Sequence, residues 1–395
     1  MKQLPEMCNI TTGKLDANAA VENGIYPYFT CGEEPARINE YAFDCDAILI
    51  AGNNAQGNFH VSRYNGKFNA YQRTYVLTAK ENSNLDFVYY SLKLSLEQLR
   101  TRSQGSQTKF LTMPILNAIS INDTLNQKKI ADVLSCIDHK IALNNKTNTE
   151  LENLAKTIYD YWFTQFDFPD KNSHPYKSSG GQMVYNETLK REIPAGWEVK
   201  SLSQICELQR GVTYGKDDEM SENDDHVVQI LRGNNISNNH IVYDSNTVYV
   251  SSDLVAEEQK IKKFDIVITM SSGSKEHVGK SAMFLFDSPH SYGAFCNKLT
   301  PLNESQFFVE NFMHSDFFKI YINHVCIGTG INNLKGEHFS KVYFAYPADS
   351  VLKQFNEIMK PIYEKRSYME QANEELTKLR DYLLPLLMNG QIEVK

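Results

Sequence analysis

Two stretches of the chain carry apolar residues at helical spacing for longer than a compact domain needs. In the first, Ile130, Leu134, Ile137, Ile141, Asn144, Asn148, Leu151, Ala155, Ile158 and Trp162 recur at alternating intervals of four and three. The second repeats the rhythm through Phe355, Ile358, Ile362, Lys365, Met369, Ala372, Leu376, Leu379 and Leu383. Such stripes predict helices over 127–163 and 351–390 that pack along a seam. A helix of about 35 residues is roughly 50 Å long, more than a domain of this size requires. The two stripes are therefore expected to pair with each other, the alternative being that each packs against its own domain. The chain must return from the first helix before it reaches the second, so the pair reads as an antiparallel coiled coil. Polar residues sit near the middle of each seam, where a buried Asn costs stability and can fix register.

Before each helix lies a body of shorter signals. Apolar runs at 47–51, 71–78, 266–270 and 281–286 read as strands, bounded by Gly, Asn and Ser. Stretches 87–100 and 309–322 read as helices. Asn23-Gly24 and Asn65-Gly66 have the composition of hairpin turns. Segment 164–195, rich in Pro, Ser and Gly over 169–181, reads as a linker. The fold class that follows is α+β. Mixed α/β domains at 1–126 and 196–350 are separated by two long helices.

The bodies also repeat each other. Segment 4–13, LPEMCNITTG, resembles 202–211, LSQICELQRG. DAILI at 46–50 resembles DIVIT at 265–269, and GSQTKFL at 105–111 resembles GTGINNL at 328–334. Each half then ends in its long helix. Matches in one order at a near-constant spacing point to a duplicated unit.

Composition adds limits. With 42% hydrophobic residues the chain can build real cores and is not disordered. No uninterrupted apolar stretch is long enough for a membrane span, and the N-terminus has no signal core. Seven scattered Cys, without a metal-ligand spacing, are expected as reduced thiols in a cytoplasmic protein. The net charge of −8 is opposite to a nucleic-acid footprint. Phosphate contact needs only a local basic face, however, and Lys260, Lys262 and Lys263 cluster, as do the cations of 100–109.

Catalytic chemistry is not legible. The run GSKEHVGKS at 273–281 imitates a phosphate loop, but its glycines are spaced wrongly and a strand pattern follows where a helix should open. No catalytic or metal-ligating constellation is found. What recurs is a mixture of amides and cations in loops, the side chains that read base edges. The first half offers Asn53, Asn54, Gln56, Arg63 and Arg73, then Arg100, Arg102, Gln107 and Lys109. The second offers Arg232, Asn234 and Asn235, then Ser271, Ser272, Ser274 and Lys275, and finally Asn332, Asn333 and Lys335.

Several motifs carry a family resemblance. QKKIADVL at 127–134 and LENLAKTIYDYWF at 151–163 are similar to the helix start and helix end of specificity subunits of Type I restriction–modification systems. GTGINNL at 328–334 resembles a loop closing many of their recognition domains. In the second half, RGVTY at 210–214, MSSGSK at 270–275 and GAFC at 293–296 are similar to a recognition domain of the K-12-type enteric enzymes. The resemblance implies two target-recognition domains that read a bipartite site in double-stranded DNA, with no cofactor and no catalysis in this chain. It implies two methyltransferase subunits as partners, carrying S-adenosylmethionine and methylating adenine. It also implies restriction subunits using ATP and Mg, and no membrane. Trp162 and Phe163, large apolar groups at the helix end, are expected either to anchor a partner subunit or to cap the neighbouring domain. The competing expectations are a coiled-coil interaction protein without DNA recognition and an enzyme with an unrecognised site.

Overall fold

In the computed structural model, residues 1–54, 59–103, 108–237, 239–242, 247–326 and 332–394 are described, apart from the side chains of 97, 98, 102, 275 and 332. The chain divides into two compact units. One comprises Met1–Asn144 and Ala372–Lys395, the other Asn145–Gln371. The division falls inside both long helices, Gln127–Tyr159 and Asp349–Met388. No helix among the described residues is long and apolar enough to cross a membrane.

The first unit is built on a six-stranded sheet. Its order is Cys8–Thr12, Thr74–Ala79, Phe43–Ala51, Val61–Ala70, Tyr26–Phe29, Ala36–Ile38. All neighbours are antiparallel except Tyr26–Phe29 and Val61–Ala70, which run parallel. The central strand is buried on both faces, as alternation dictates. Ile48 and Ile50 pack under helix Leu85–Arg102 with Phe87, Val88 and Leu92, while Ala47 and Leu49 pack with Phe29 and Phe68 on the other side. Asn84 caps that helix, its Oδ1 accepting from Phe87 N at 2.8 Å.

The second unit repeats this plan. Strands Cys206–Arg210, Cys296–Pro301, Ile266–Thr269 and Ser281–Met283 form a sheet in the same sequence-equivalent order. Ser291–Tyr292 lies parallel to Val227–Leu231, as Tyr26–Phe29 lies to Val61–Ala70. The central strand again splits its residues, Ile266 and Ile268 to one core and Val267 to the other. Two short helices, Gln306–Met313 and Asp316–Val325, stand where the first unit has one. Ser315 interrupts them by capping the second, its Oγ accepting from Phe318 N at 3.2 Å. A short ladder recurs too: Asn53–Asn54 with Lys109–Phe110, and Ser271–Ser272 with Asn332–Asn333. Gly13 and Gly211 mark the same close backbone crossing. A Cβ there would lie 1.8 Å from Ala70 O and 2.3 Å from Gly293 O respectively.

Four expectations need correction. Asn65-Gly66 is not a turn but lies within strand Val61–Ala70, opposite Asp46 and Cys45. Its neighbours' apolar alternation outweighs a two-residue turn signal. Segment 164–195 is folded. Its strands Met183–Asn186 and Arg191–Pro194 pair as a hairpin, and Asp167 accepts from Ser178 N and Oγ at 2.7 and 2.6 Å. Trp162 and Phe163 are buried at 4% and 5% exposure against Phe355 and Trp197, so they belong to the second unit's core and cannot anchor a partner. In the second long helix, Met359, Tyr363 and Arg366 are buried, whereas Ile358 and Lys365 face solvent. That helix also packs on its own domain, where Asn311 Nδ2 donates to Tyr363 Oη at 3.0 Å, so its buried face drifts from a strict seam.

Candidate nucleic-acid interface

The second unit gathers its candidate loops around one cavity of about 560 Å³. Arg210, Tyr214, Arg232, Asn234, Ser271 and Phe295 are among its walls, and no carboxylate lines it among the described residues. The turn 293–296 forms one lip. Cys296 N donates to Gly293 O at 2.8 Å, closing the turn. Gly293 N donates to Leu231 O at 2.9 Å, and Val212 N to Tyr292 O at 2.7 Å. Phe295 O accepts from Met270 N at 2.8 Å and Ser271 N at 3.2 Å. The turn is thus tied to three neighbouring segments, yet the Phe295 side chain is 71% exposed.

Of the candidates here, Asn234 is exposed and Arg232 half-buried at the cavity. Asn235 is a correction: it is 2% exposed, its Oδ1 accepts from Arg232 N at 2.9 Å and its Nδ2 donates to Val242 O at 2.9 Å. Buried and bonded within the loop, it shapes the loop and is not presented to a base. Ser271 and Ser272 line the cavity, and Ser271 Oγ donates to Asn333 Oδ1. Ser274 and Lys335 are exposed, with Lys335 Nζ 3.9 Å from Glu337. The side chains of Lys275 and Asn332 lie outside the described set. After 273–280 comes strand Ser281–Met283 and no helix, which disposes of the phosphate-loop reading.

The first unit places its turn 71–74 at the corresponding position. Thr74 N donates to Tyr71 O at 2.8 Å, and Gly52 N donates to Arg73 O at 2.8 Å. Arg73 is exposed, with its guanidinium 5.2 Å from the Phe110 ring centroid. Lys109 and Asn54 are half-buried on the short ladder beside it, and the Asn53 Oδ1 is buried without a hydrogen-bond partner. Arg100 is exposed on its helix. Arg63 is a correction. Its Nε donates to Asp86 at 2.9 Å and its Nη atoms hold Asp46, so its charge is spent inside the fold. Burial works against that charge, but the two carboxylates outweigh it and raise its pKa. Gln56, Gln107 and the Arg102 side chain lie outside the described residues. Among the described residues a recess of about 10 Å³ lies near Thr30, His60 and Ser62.

The model of the family described as the Type I restriction modification DNA specificity domain matches the chain over residues 1–153 and again over 194–378. The chain belongs to this family. The double match agrees with the strand-by-strand repetition of the two units. The chain is 37% identical over 221 residues to the Type I restriction enzyme EcoDI specificity subunit of Escherichia coli, covering 52% of this chain and 48% of that one. It is 27% identical over 318 residues to the MjaIX specificity subunit of Methanocaldococcus jannaschii, covering 78% and 69%. It spans about half the length of the enteric relatives it matches. In fold it is similar to the S subunit of a Type-I restriction-modification system from M. genitalium, with a TM-score of 0.57, 16% identity, and coverage of 100% of this chain and 96% of that one.

Residue typing missed Arg210, Tyr214 and Phe295 as members of the family's candidate surface. Their motifs, RGVTY at 210–214 and GAFC at 293–296, carried the family resemblance without being typed as readers. The alignment of the two halves contained the signal, because Phe295 occupies the position of Arg73 in the repeated turn.

Proposed function

We propose that this chain is a non-catalytic, sequence-specific reader of double-stranded DNA in a Type I restriction–modification complex, with each unit reading one half of a bipartite target. The observation that carries this is the repeated reading end. The same pinned turn, short ladder and strand order occur twice, and each presents Arg, Asn or aromatic side chains in loops. Direct readout of base edges uses Arg and Asn in this way. In this reading methyltransferase subunits bring S-adenosylmethionine and methylate adenine, restriction subunits bring ATP and Mg, and the assembly works in the cytoplasm. The chain itself holds no cofactor.

We further propose that the long helices pair as an antiparallel coiled coil. Residue pairs within each unit support it. In the first, Arg380 donates to Asp138 at 2.9 Å and Asn144 to Asn373 at 2.8 Å. In the second, Arg366 holds Glu152. Numbers rise on one helix as they fall on the other.

The test is co-expression with the cognate methyltransferase subunit followed by mapping of methylated adenines. The expected result is a two-part target, methylation that requires this chain, and duplex affinity that falls steeply with salt. Methylation by this chain alone, or none of it with the partner, contradicts the reading.

A further inference from the structure

The cavity of the second unit has the wrong shape for an intact groove. Base edges in duplex DNA are read by elements that protrude into a groove, such as a helix or a ribbon. A recess cannot reach them. Its volume, about 560 Å³, falls in the range of roughly 300–1,000 Å³ that small flat ligands occupy. Its walls combine the Phe295 and Tyr214 rings with Val212 and Gly293, and Arg232 and Asn234 supply polar edges. A cleft made for the phosphate backbone would be polar throughout. This one pairs an apolar interior with cations, the composition that suits a base with its phosphate alongside.

Phe295 is the second observation. A phenyl ring left 71% exposed on a turn fixed to neighbouring strands is neither core nor slack loop. Its backbone is held in place, and the side chain it carries lines the cavity.

We propose that the second unit draws one nucleobase out of its half-site into this cavity, where the base stacks on Phe295. The inference rests on the DNA-reading function above and names where part of that reading takes place. Extrusion costs the pairing and stacking of that base, so it is easiest where pairing is already absent.

The experiment uses the full chain in complex with its methyltransferase subunit and duplexes carrying the mapped target. An abasic nucleotide is placed in turn opposite each base of the second unit's half-site, and affinities are compared. The expected result is one position where the abasic duplex binds roughly tenfold more tightly than the intact one. Phe295→Ala is expected to weaken binding of the intact target roughly tenfold, the scale of a lost base–aromatic stack. Ala294→Trp, which fills the mouth, is expected to abolish the abasic gain. Phe295 is exposed, so its replacement should leave the thermal midpoint unchanged. Two results overturn the proposal while leaving DNA reading intact. One is a gain confined to the methylated adenines and unaltered by both substitutions, which the methyltransferase alone explains. The other is Phe295→Leu matching wild type, which would make the side chain an apolar contact and not a stacking platform. Loss of salt-dependent target binding by the wild-type complex would instead sink the functional reading, and this proposal with it.

Discussion

Turns 71–74 and 293–296 occupy the same place in the two units and carry opposite chemistry. Both close through an i to i+3 hydrogen bond, and both offer a third-residue carbonyl to the end of the central strand. Yet the third residue is Arg73 in one and Phe295 in the other. Phe295 lines a cavity of about 560 Å³, while Arg73 lies over the Phe110 ring. The difference teaches that the scaffold fixes where this turn stands and leaves open which side chain it carries. A rigid sheet that positions variable loop residues allows new specificity without a new fold.

The largest expected effect attacks what the two units share. Gly13→Val and Gly211→Val each drive a Cβ into a backbone carbonyl with no flexible neighbour to yield. Each should cost its unit roughly 3 kcal/mol or more, the upper range for overpacking. The two tryptophans, Trp162 and Trp197, both lie in the second unit. Urea unfolding followed by tryptophan emission should therefore shift with Gly211→Val alone, while circular dichroism should register both. Either variant folding normally would show that the crossing is not a common constraint.

The next effect attacks what differs. Arg73→Ala should relax only the half-site read by the first unit, by about 1–3 kcal/mol if the contact is bidentate, and lower the salt slope by about one. Phe295→Ala should relax only the other half-site and leave the salt slope unchanged. A methylation map in which either change alters both half-sites would remove the case for separate readers. Neighbouring residues provide the control. Asn235→Ala should lower the second unit's stability by about 1–3 kcal/mol, because it strands buried loop groups. Asn234→Ala, at the exposed cavity wall, should reduce target affinity.

Much of this was legible in the sequence. The repeat is a matter of which residues fall on which strand, and three short similarities located it, although DAILI against DIVIT is one residue out: the ladders and cores put Ile48 with Ile266, not with Val267. The first long helix followed its stripe from Ile130 to Trp162, with Asn144 and Asn148 buried as expected. The second was misread at Ile358 and Lys365, because a heptad pattern describes one packing partner and this helix has two. Arg63 and Asn235 look like readers in a list of residue types. Only tertiary neighbours, Asp46 and Asp86 for one and Val242 O for the other, reveal that their hydrogen bonds are already used. Phe295 was not typed as a reader for the opposite reason: an apolar residue is expected inside, and only the GAFC motif around it carried the family resemblance.

The smallest effect concerns how each recognition body is tied to the long helices within its own unit. In the first, Tyr90 Oη donates to Asp138 at 2.8 Å, and Arg380 holds the same carboxylate. Burial and the carboxylate push the Tyr90 phenol far up, so the phenol keeps its proton through neutrality. In the second, His240 Nε2 lies 3.1 Å from Glu152 Oε1, with Glu370 3.9 Å from Nδ1 and Arg366 on the same Glu152 oxygen. The bond to Glu152 raises the His240 pKa above its ordinary 6.5. Burial opposes ionisation of Glu152, but His240 and Arg366 outweigh it and hold the carboxyl below its usual range. A raised histidine stabilises fully below its unfolded value, and that stability is lost as pH climbs through the folded one. Glu310, pushed up by burial beside His314, acts with the same sign. His290 and His338 are depressed by burial, so their dependence lies below pH 6.5. The second unit should therefore lose stability between pH 6.5 and the alkaline side of neutrality, by under about 1 kcal/mol for a partly exposed pair. Tryptophan-monitored urea midpoints across that range should fall, and His240→Gln should flatten most of the slope. An unchanged slope in His240→Gln would assign the dependence to Glu310 and leave the two ties alike in their response to pH.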